Sequence, residues 1–333
     1  MRRMITTAAA LALALGAAQG AGADPVKIRA PWVATPASLI PILFAKDGIA
    51  KHKGVSYTFE PIFFSSSPTE ITALAAGEIE IGTINFSSFP IAVENAGLTD
   101  LKIIADETQD GVADYVTFNY LVLKDSPVQK VEDLKGKIVA VNGIGAGVEL
   151  GLRTYFKRHG LEFQHDYSDV EVPFPNMRAV LMDHKADLVG AGPPFLYDPE
   201  LVKNARTLFT LKDALNGTEL SFWVMRQAFL DKNRAAVVDL LEDTVRAYRW
   251  YSDPANHTEA VAILAAFLKQ PPERADWAFT KRDFYRDPNG LPNLTMLQSN
   301  VDAVHEVGFI KSSLDIAKYA DLSLVKEAAA RIK

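Results

Sequence analysis

The sequence of 333 residues contains no cysteine. This absence excludes disulfide bridges, thiolate metal sites, a cysteine nucleophile and a lipid anchor on an N-terminal cysteine. The folded chain must therefore be stabilised by its hydrophobic core, and the hydrophobic fraction of 48% makes this feasible. From its length, we expect the chain to form two lobes.

Long apolar segments are missing everywhere except at the N-terminus. Two arginines precede the apolar residues 5–18, and residues 21–23 (Ala-Gly-Ala) have the small-residue pattern of a cleavage site. A transmembrane anchor is the alternative interpretation, but nearby glycines and the short apolar run disfavour it. We therefore expect residues 1–23 to be a secretory signal peptide, cleaved after Ala23, and the mature chain to be exported without membrane insertion.

Positive charge is also scarce. The 35 basic side chains are outnumbered by 41 acidic ones, which gives a net charge of −6, and removal of Arg2 and Arg3 makes the mature chain more acidic still. Such a protein is not expected to bind nucleic acid or an anionic membrane. The histidines are scattered, and the spacing of His159 and His165 is not typical of zinc ligands. We expect no metal site and no cofactor.

The stretch 63–90 contains the first candidate site. Ser67 and Glu70 have the spacing of a capping box at a helix start, and Gly77 ends the predicted helix. Ser65, Ser66 and Ser67 would then lie at a helix N-terminus. Free backbone N–H groups and the helix dipole favour an anion there.

A second polar helix start follows directly. Residues 78–84 alternate like a strand, and Asn85 is a predicted N-cap of a helix that runs to Gly97. Each of these caps, taken alone, is explained as an ordinary helix cap without any ligand. Two strand ends that each lead into a polar helix start favour a ligand crevice, because such ends line the crevice of an open α/β sheet. Asn85, Phe86 and Ser87 are therefore candidate binding residues.

A glycine-rich loop, residues 142–147 (Asn-Gly-Ile-Gly-Ala-Gly), connects the predicted strand 138–141 to a helix over 148–159. This layout is typical of a phosphate-binding loop, so nucleotide binding is one interpretation. Its spacing is G-x-G-x-G rather than G-x-G-x-x-G, and no Lys-Ser/Thr pair follows. A short anion at the helix start and a plain tight turn both remain open. Asn142, Gly145 and Ala146 are the candidate binding residues of this loop.

The other candidate binding residues share one position, because each follows a predicted strand. They are Trp32 and Thr35 after strand 26–30, Phe174 and Asn176 after strand 170–172, and Pro194 and Phe195 after strand 188–191. Elsewhere the pattern predicts a helix that begins near Thr35 and Pro36 and runs to Gly48, and Pro41 implies either a kink or a start nearer Ser38. A polar loop is predicted over 106–114. Helices are predicted over 235–251, 257–268, 295–307 and 323–332.

Four segments carry a resemblance to a known family. They are residues 70–82 (EITALAAGEIEIG), 131–141 (VEDLKGKIVAV), 176–189 (NMRAVLMDHKADLV) and 304–324 (VHEVGFIKSSLDIAKYADLSL). In these segments the chain resembles the periplasmic solute-binding proteins of ABC importers, in the group that binds aliphatic sulfonates, taurine, nitrate and pyrimidine precursors. The segments span nearly the whole mature chain. None of them identifies the ligand.

The resemblance implies an α/β, two-lobed periplasmic-binding-protein fold of type II, with each lobe a mixed sheet flanked by helices. Lobe 1 would comprise residues 24–117 and 223–333, and lobe 2 residues 118–222. Such a protein is expected to act in the periplasm as a monomer, to close on a small molecule and to meet an ABC permease in the inner membrane. The contact loops of the family fall on the candidate residues named above.

The predicted lining combines hydroxyl and amide groups with aromatic rings, which suits a small carboxylate or sulfonate with an aromatic or apolar part. A pyrimidine-like heterocycle and an inorganic anion are the alternatives. Many relatives carry a tryptophan-acid-proline run where this chain has residues 191–195 (Ala-Gly-Pro-Pro-Phe), and the missing acid argues against an amine such as taurine. Arg178 is a counter-ion of the ligand, or it is solvated, or it pairs with Asp183 or Glu171.

Catalysis is a second hypothesis, since the same fold group includes enzymes that depend on cysteine. The absence of cysteine disfavours catalysis of this kind, so we expect a binding protein and no enzyme. A sensor or a pure interaction protein is a third class, but nothing appended to the two predicted lobes suggests it.

Overall fold

The computed structural model describes residues 24–65 and 67–332. The predicted signal peptide and Ser66 lie outside these residues. Within the described ranges, no helix combines the length and the apolar character needed to cross a membrane.

The described chain is an α/β protein whose strands form three sheets. The strands are β1 (Val26–Trp32), β2 (Tyr57–Phe63), β3 (Gly82–Asn85), β4 (Leu101–Asp110), β5 (Asn119–Leu123), β6 (Lys137–Val141), β7 (Tyr167–Glu171), β8 (Leu188–Ala191), β9 (Ala205–Thr210) and β10 (Thr218–Arg226). The helices are α1 (Ser67–Ala76), α2 (Ser88–Asn95), α3 (Gly147–Arg158), α4 (Met177–Met182), α5 (Pro199–Asn204), α6 (Leu211–Leu215), α7 (Gln227–Ser252), α8 (His257–Leu268), α9 (Leu294–Glu306) and α10 (Ser323–Arg331).

Lobe 1 contains two of the sheets. Strands β1 and β2 pair in parallel, and β10 lies between β3 and β4, antiparallel to both. Helix α10 packs on α7, and both contribute to the core that covers one side of these sheets. Lobe 2 contains the third sheet, in the order β7-β6-β8-β5-β9. In this sheet β5 is antiparallel to β8 and β9, and β6 is parallel to β7 and β8. The predicted α/β fold of two lobes, with sheets flanked by helices, is confirmed. The five-stranded sheet is mixed, whereas lobe 1 has one parallel and one antiparallel sheet in place of a single mixed one.

The two connections between the lobes touch each other. Strand β4 ends at Asp110, whose Oδ1 accepts hydrogen bonds of 2.6 Å from both the backbone N–H and the hydroxyl of Thr117. Gly111 follows strand β4 and has a φ of 77°. Gly217 precedes strand β10 and has a φ of 105°. A Cβ added to Gly111 would lie 2.9 Å from the Cα of Gly217. Strand β10 begins at Thr218 and pairs with β3 and β4, so residues 218–222, which the sequence assigned to lobe 2, lie in the same sheet as strands assigned to lobe 1.

The helix predicted near residues 36–48 is wrong. This segment forms consecutive turns in which Ile42 N donates to Leu39 O at 2.9 Å and Ala45 N donates to Ile42 O at 3.0 Å. Pro41 has no N–H group and its ring disfavours the helix interior, so the regular i to i−4 ladder cannot form across it.

The polar loop predicted from residue 106 is also wrong over its first half. Residues 106–110 continue strand β4 and are buried, although three of the five are acidic. Hydrogen bonds make this burial possible. Asp106 Oδ2, for example, accepts from the backbone N–H of Asp287 at 2.8 Å.

Candidate functional site

The two polar helix starts predicted in lobe 1 lie against each other. Asn85, the last residue of β3, accepts through Oδ1 from the backbone N–H groups of Ser87 at 3.1 Å and Ser88 at 2.8 Å. The N-cap residue of α2 is Ser87 rather than the predicted Asn85, whose side chain bonds to the start of the helix from two residues earlier. Asn85 Nδ2 donates to Ser67 Oγ, at the start of α1, over 3.4 Å. One amide side chain therefore connects both helix N-termini.

Glu70 does not form the predicted capping box. It is completely buried and accepts from the backbone N–H of Thr83 at 3.1 Å and from the Thr83 hydroxyl at 3.1 to 3.2 Å. Burial, followed by the neighbouring charge of Glu107, raises its pKa well above the usual value. Glu70 thus fixes α1 to β3 instead of capping the helix.

In lobe 2 the glycine loop receives a carboxylate from its own helix. The backbone N–H of Gly145 donates to Glu149 Oε2, and the other carboxylate oxygen pairs with Arg153. Glu149 is fully buried, and burial raises its pKa to about 7 despite the hydrogen bond from Gly145. The N–H group of Gly145, expected to hold a ligand anion, is therefore occupied by the protein. This arrangement also explains the glycine-rich loop without a nucleotide.

The lobes meet at these helix starts. Ser87 Oγ lies 2.7 Å from Asn85 Oδ1 and 2.8 Å from the carbonyl oxygen of Gly145 in lobe 2. The buried ring of Phe86 lies against Gly147, where an added Cβ would be 2.9 Å from Phe86 Cε1. The structure therefore joins Ser67, Asn85, Phe86, Ser87 and the glycine loop into one site.

The predicted aromatic residues Trp32, Phe174 and Phe195 lie in two separate groups of rings. In lobe 2, Phe174 stacks on Phe195 with 5.9 Å between centroids and 15° between planes, and Phe118 lies 5.9 Å from Phe174. In lobe 1, Trp32 packs edge-on against Phe63 at 4.9 Å and also contacts Phe267. Of the predicted aromatic lining, only Phe174 and Phe195 form an aromatic pair with each other.

The remaining predicted residues occupy different environments. Ser65 and Asn176 are exposed, Pro194 and Ala146 are half-buried, Asn142 is half-buried with an unpartnered Oδ1, and Thr35 is buried with an unpartnered Oγ1. Arg178 pairs with Asp198 at 3.6 Å, rather than with Asp183 or Glu171. Its side chain is 48% exposed, so this pair is a surface interaction.

A second contact between the lobes was not predicted. Tyr197 in lobe 2 donates its hydroxyl to the carbonyl oxygen of Arg282 and lies 4.9 Å from the ring of Trp277. The guanidinium of Arg282 lies 4.4 Å above the Tyr197 ring, a cation–π geometry. Residues 277–282 precede the predicted helix 295–307 and lack any periodic pattern, so the sequence offered no signal for this contact.

A row of polar side chains across lobe 1 was also missed. Ser221 in β10 is the register partner of both Asn85 in β3 and Thr108 in β4, and the hydroxyls of Ser221 and Thr108 lie 2.6 Å apart. Glu107, next to Thr108, is buried, and burial raises its pKa to about 7 although Ser38, Ser221 and other groups oppose the shift. A signal existed, since the first glycine or proline after residues 101–105 is Gly111.

Among the described residues, one group has the composition of a metal site: His52, Asp239 and Glu242. His52 Nε2 lies 3.2 Å from Glu242, and its Nδ1 lies 3.9 Å from Asp239. Arg331 pairs with Asp239 at 2.9 Å and Arg246 with Glu242 at 2.6 Å. Because arginines already neutralise both carboxylates, we interpret this group as an ion-pair network.

The model of the NMT1-like family matches residues 24–265 of the chain. No curated protein sequence matches this chain. Solved structures share its fold over most of its length. The alkanesulfonate-binding protein SsuA from Xanthomonas axonopodis pv. citri, bound to MOPS, is 18% identical with a TM-score of 0.71, and the match covers 90% of this chain and 99% of that one.

Two further structures with the same fold differ in activity. The periplasmic nitrate-binding protein NrtA from Synechocystis PCC 6803 is 18% identical, with a TM-score of 0.71 and coverage of 93% of this chain and 89% of that one. The desulfurization enzyme DszB is 13% identical, with a TM-score of 0.68 and coverage of 92% and 100%. At these identities the likeness establishes the fold alone.

Proposed function

Since the chain belongs to the NMT1-like family, we propose that it is the extracytoplasmic binding component of an ABC importer. In this proposal it captures a small organic anion between its lobes, acts without catalysis and delivers the anion to a permease in the inner membrane. The periplasmic binding proteins that share its fold support this role.

One observation carries the proposal. Two helix N-termini of lobe 1 and the glycine loop of lobe 2 converge through Ser67, Asn85, Ser87 and Gly145. The N–H groups of Ser87, Ser88 and Gly145 are already bonded to Asn85 and Glu149. The attraction for an anion therefore comes from the partial positive charge of the helix N-termini and from the hydroxyls of Ser67 and Ser87, which lie where both lobes meet. Ligands that contact both lobes favour the closed form by the difference in affinity between open and closed states.

The ligand is proposed to be a carboxylate or sulfonate with an aromatic or apolar part. The stacked pair Phe174 and Phe195 offers the apolar surface, and the hydroxyl and amide groups of lobe 1 offer the polar one. The alkanesulfonate bound by SsuA and the nitrate bound by NrtA support an anion, although the two differ in size.

A ligand screen tests the proposal. Mature protein is examined by thermal unfolding and then calorimetry against aryl and alkyl sulfonates, aromatic carboxylates, nitrate, bicarbonate and pyrimidines. The buffer must contain no sulfonate, because MOPS is itself a ligand of SsuA. A ligand far above its dissociation constant should stabilise the fold by ~3 to 4 kcal/mol. A response to pyrimidines alone would disprove the anion, and no response at all would favour an enzyme or an interaction protein.

Substitution of the polar residues is the second test. We expect Asn142→Ala and Ser67→Ala each to weaken anion binding by ~1.5 to 3 kcal/mol, the value of a hydrogen bond to a charged group. Calorimetry measures the affinity and circular dichroism confirms folding. Ser168→Ala, an exposed position on β7, is the matched control. Unchanged affinity in both site variants would show that these residues do not hold the ligand.

A further inference from the structure

A carboxyl group lies against the glycine loop of the candidate site. Glu149, in the first turn of α3, accepts from the backbone N–H of Gly145 and is completely buried. The carbonyl oxygen of the same Gly145 lies 2.8 Å from Ser87 Oγ in lobe 1. Glu149 therefore holds the residue through which lobe 2 meets lobe 1 at the proposed ligand site.

Two carboxyl groups share one guanidinium behind this loop. Arg153 Nη2 pairs with Glu149 Oε1 and, at 3.5 Å, with Asp169 Oδ2. The rings of Phe163 and of Phe309 from lobe 1 cover the guanidinium, with centroids 3.5 and 4.9 Å from Arg153 Cζ. When both carboxyl groups are ionised, this largely buried cluster therefore carries one uncompensated negative charge.

The two carboxyl oxygens that contact Arg153 are not hydrogen-bonded. Within residues 24–65 and 67–332, neither Glu149 Oε1 nor Asp169 Oδ2 has a hydrogen-bond partner, although both lie beside the guanidinium. Nearly all buried polar atoms in native proteins are hydrogen-bonded. The two side chains are within hydrogen-bonding reach of each other. A proton placed between them would therefore satisfy both oxygens.

The charge of Glu149 opposes the anion proposed for this site. Burial raises the pKa of Glu149 to about 7, and Asp169 adds to the shift, while the Gly145 N–H group and Arg153 oppose it. Tyr167 on β7 also faces Glu149, and because burial raises the pKa of this phenol it stays neutral. An anion at the start of α3 adds a second negative charge and favours the protonated form of the carboxyl group.

We propose that Glu149 is a positioning residue that holds the glycine loop at the ligand and takes up a proton, shared with Asp169, when the anion binds. The inference rests on the proposed function and makes anion capture depend on pH. The proton comes from the solvent and bonds to Glu149 Oε1, and no other covalent bond forms or breaks. Affinity should be highest below pH 7, where Glu149 is already protonated. It should fall as the pH rises above 7, because binding then draws a proton from solution.

The experiment measures affinity against pH with two anions that do not titrate themselves. Benzenesulfonate and benzoate are the probes, because both stay ionised above about pH 6. Calorimetry of the mature chain in imidazole and Tris, which contain no sulfonate, covers the range from about pH 6 to 9. We expect roughly tenfold weaker binding at pH 9 than at pH 6, which corresponds to a shift of about one pKa unit on binding.

Proton uptake is measured directly in a second titration. Neutralised probe is added to unbuffered protein at about pH 7.5, and acid is added until the original pH returns. We expect each bound anion to consume on the order of half a proton, since the carboxyl group is then largely ionised in the free protein and largely protonated in the complex.

Two substitutions separate the charge of Glu149 from its contact with the loop. Glu149→Gln keeps an acceptor for Gly145 and supplies an amide donor for Asp169, so it imitates the protonated residue. It should bind at every pH as tightly as the wild type does at pH 6 and take up no proton. Glu149→Ala loses the loop contact and should bind roughly tenfold more weakly throughout. Glu171→Gln, at an exposed position on the same strand as Asp169, is the control and should keep the wild-type pH profile.

A further variant keeps the test decisive if Glu149→Gln does not fold. Asp169→Asn removes the neighbouring charge and should lower the pH at which affinity falls by about one unit. Constant affinity of the wild type across this range, no proton uptake, or a pH dependence that Glu149→Gln retains would overturn the role of Glu149 and leave the proposed function standing. No binding of either probe at any pH would overturn both.

Discussion

At the scale of single residues, two buried carboxyl groups on adjacent strands share a site without a cation between them. Glu219 in β10 accepts from the backbone N–H of Asn293 at 2.8 Å, and its Oε1 has no donor among the described residues. Burial, and then the charge of Asp106, raise the pKa of Glu219 well above its usual value, and burial raises the pKa of Asp106 to about 6. One proton held between the two groups relieves their repulsion.

This pair predicts a pH dependence of stability. The folded state holds protons that the unfolded chain releases, so the free energy of unfolding falls as pH rises from about 4 through 6 and above. Glu219→Gln replaces the shared proton with an amide donor. We expect the variant to be more stable than the wild type at pH 8, by ~1 to 3 kcal/mol, and nearly equal at pH 5.

Urea unfolding at both pH values measures the effect. Glu78→Gln, an exposed change in lobe 1, serves as the control and should leave the pH dependence as it is in the wild type. If Glu219→Gln is less stable than the wild type at pH 8, the two carboxyl groups do not share a proton.

At the scale of secondary structure, local signals predicted most elements and missed those that depend on distant partners. Gly77 and Gly160 end helices as predicted, each with positive φ, and the Asn85 side chain bonds to the first residue of α2, although the N-cap residue is Ser87. The Glu70 side chain was misassigned because its partner, Thr83, lies in the next strand rather than in its own helix. Local spacing identifies a possible cap, but it cannot decide between two acceptable hydrogen-bond partners.

The polar end of β4 was also mispredicted because its hydrogen-bond partners lie outside the local sequence. Acidic residues in sequence favour an exposed loop, but Asp110 is buried because Thr117 donates two hydrogen bonds to it after the chain turns. As a result, Glu107 and the row through Ser221 were missed. Only the assembled sheet brings Ser221 beside Thr108 and Asn85.

The contact between α2 and α3 gives an element-scale prediction. Gly147→Ala would place a methyl group 2.9 Å from Phe86 Cε1, so the two helix starts could not approach as closely. We expect ligand affinity to fall by ~1 to 3 kcal/mol, the usual cost of overpacking, with the folded lobes preserved. Calorimetry with the identified ligand and X-ray scattering with and without it measure the affinity and the closure.

Gly143→Ala is the matched control in the same loop, because its added Cβ would lie 3.8 Å from the nearest atom, Ala146 Cβ. Equal affinities of Gly143→Ala and Gly147→Ala would show that the contact with Phe86 does not take part in ligand binding.

At the scale of the whole molecule, the two connections between the lobes are fixed to each other by a glycine pair. Gly111→Ala would combine an unfavourable positive φ with a 2.9 Å contact to the Gly217 Cα. Gly136 has almost the same φ, 76° against 77°, and nothing lies within 4 Å of its added Cβ. Gly136→Ala is therefore a control for the backbone conformation alone.

We expect Gly136→Ala to cost ~1 to 2 kcal/mol of stability. Gly111→Ala should cost more, by a further ~1 to 3 kcal/mol. Urea unfolding of both variants measures the difference. Equal losses in the two proteins would show that the close approach of Gly111 and Gly217 is not maintained in solution.

The position of β10 has a consequence for how the molecule is made. This strand is the centre of the three-stranded sheet of lobe 1, yet it is synthesised only after every strand of lobe 2. A nascent chain can complete the sheet of lobe 2 from one continuous segment, whereas β3 and β4 must wait for a partner made much later. The three-stranded sheet of lobe 1 therefore cannot form until β10 has been made, which suits the export before folding that our proposed extracytoplasmic role requires.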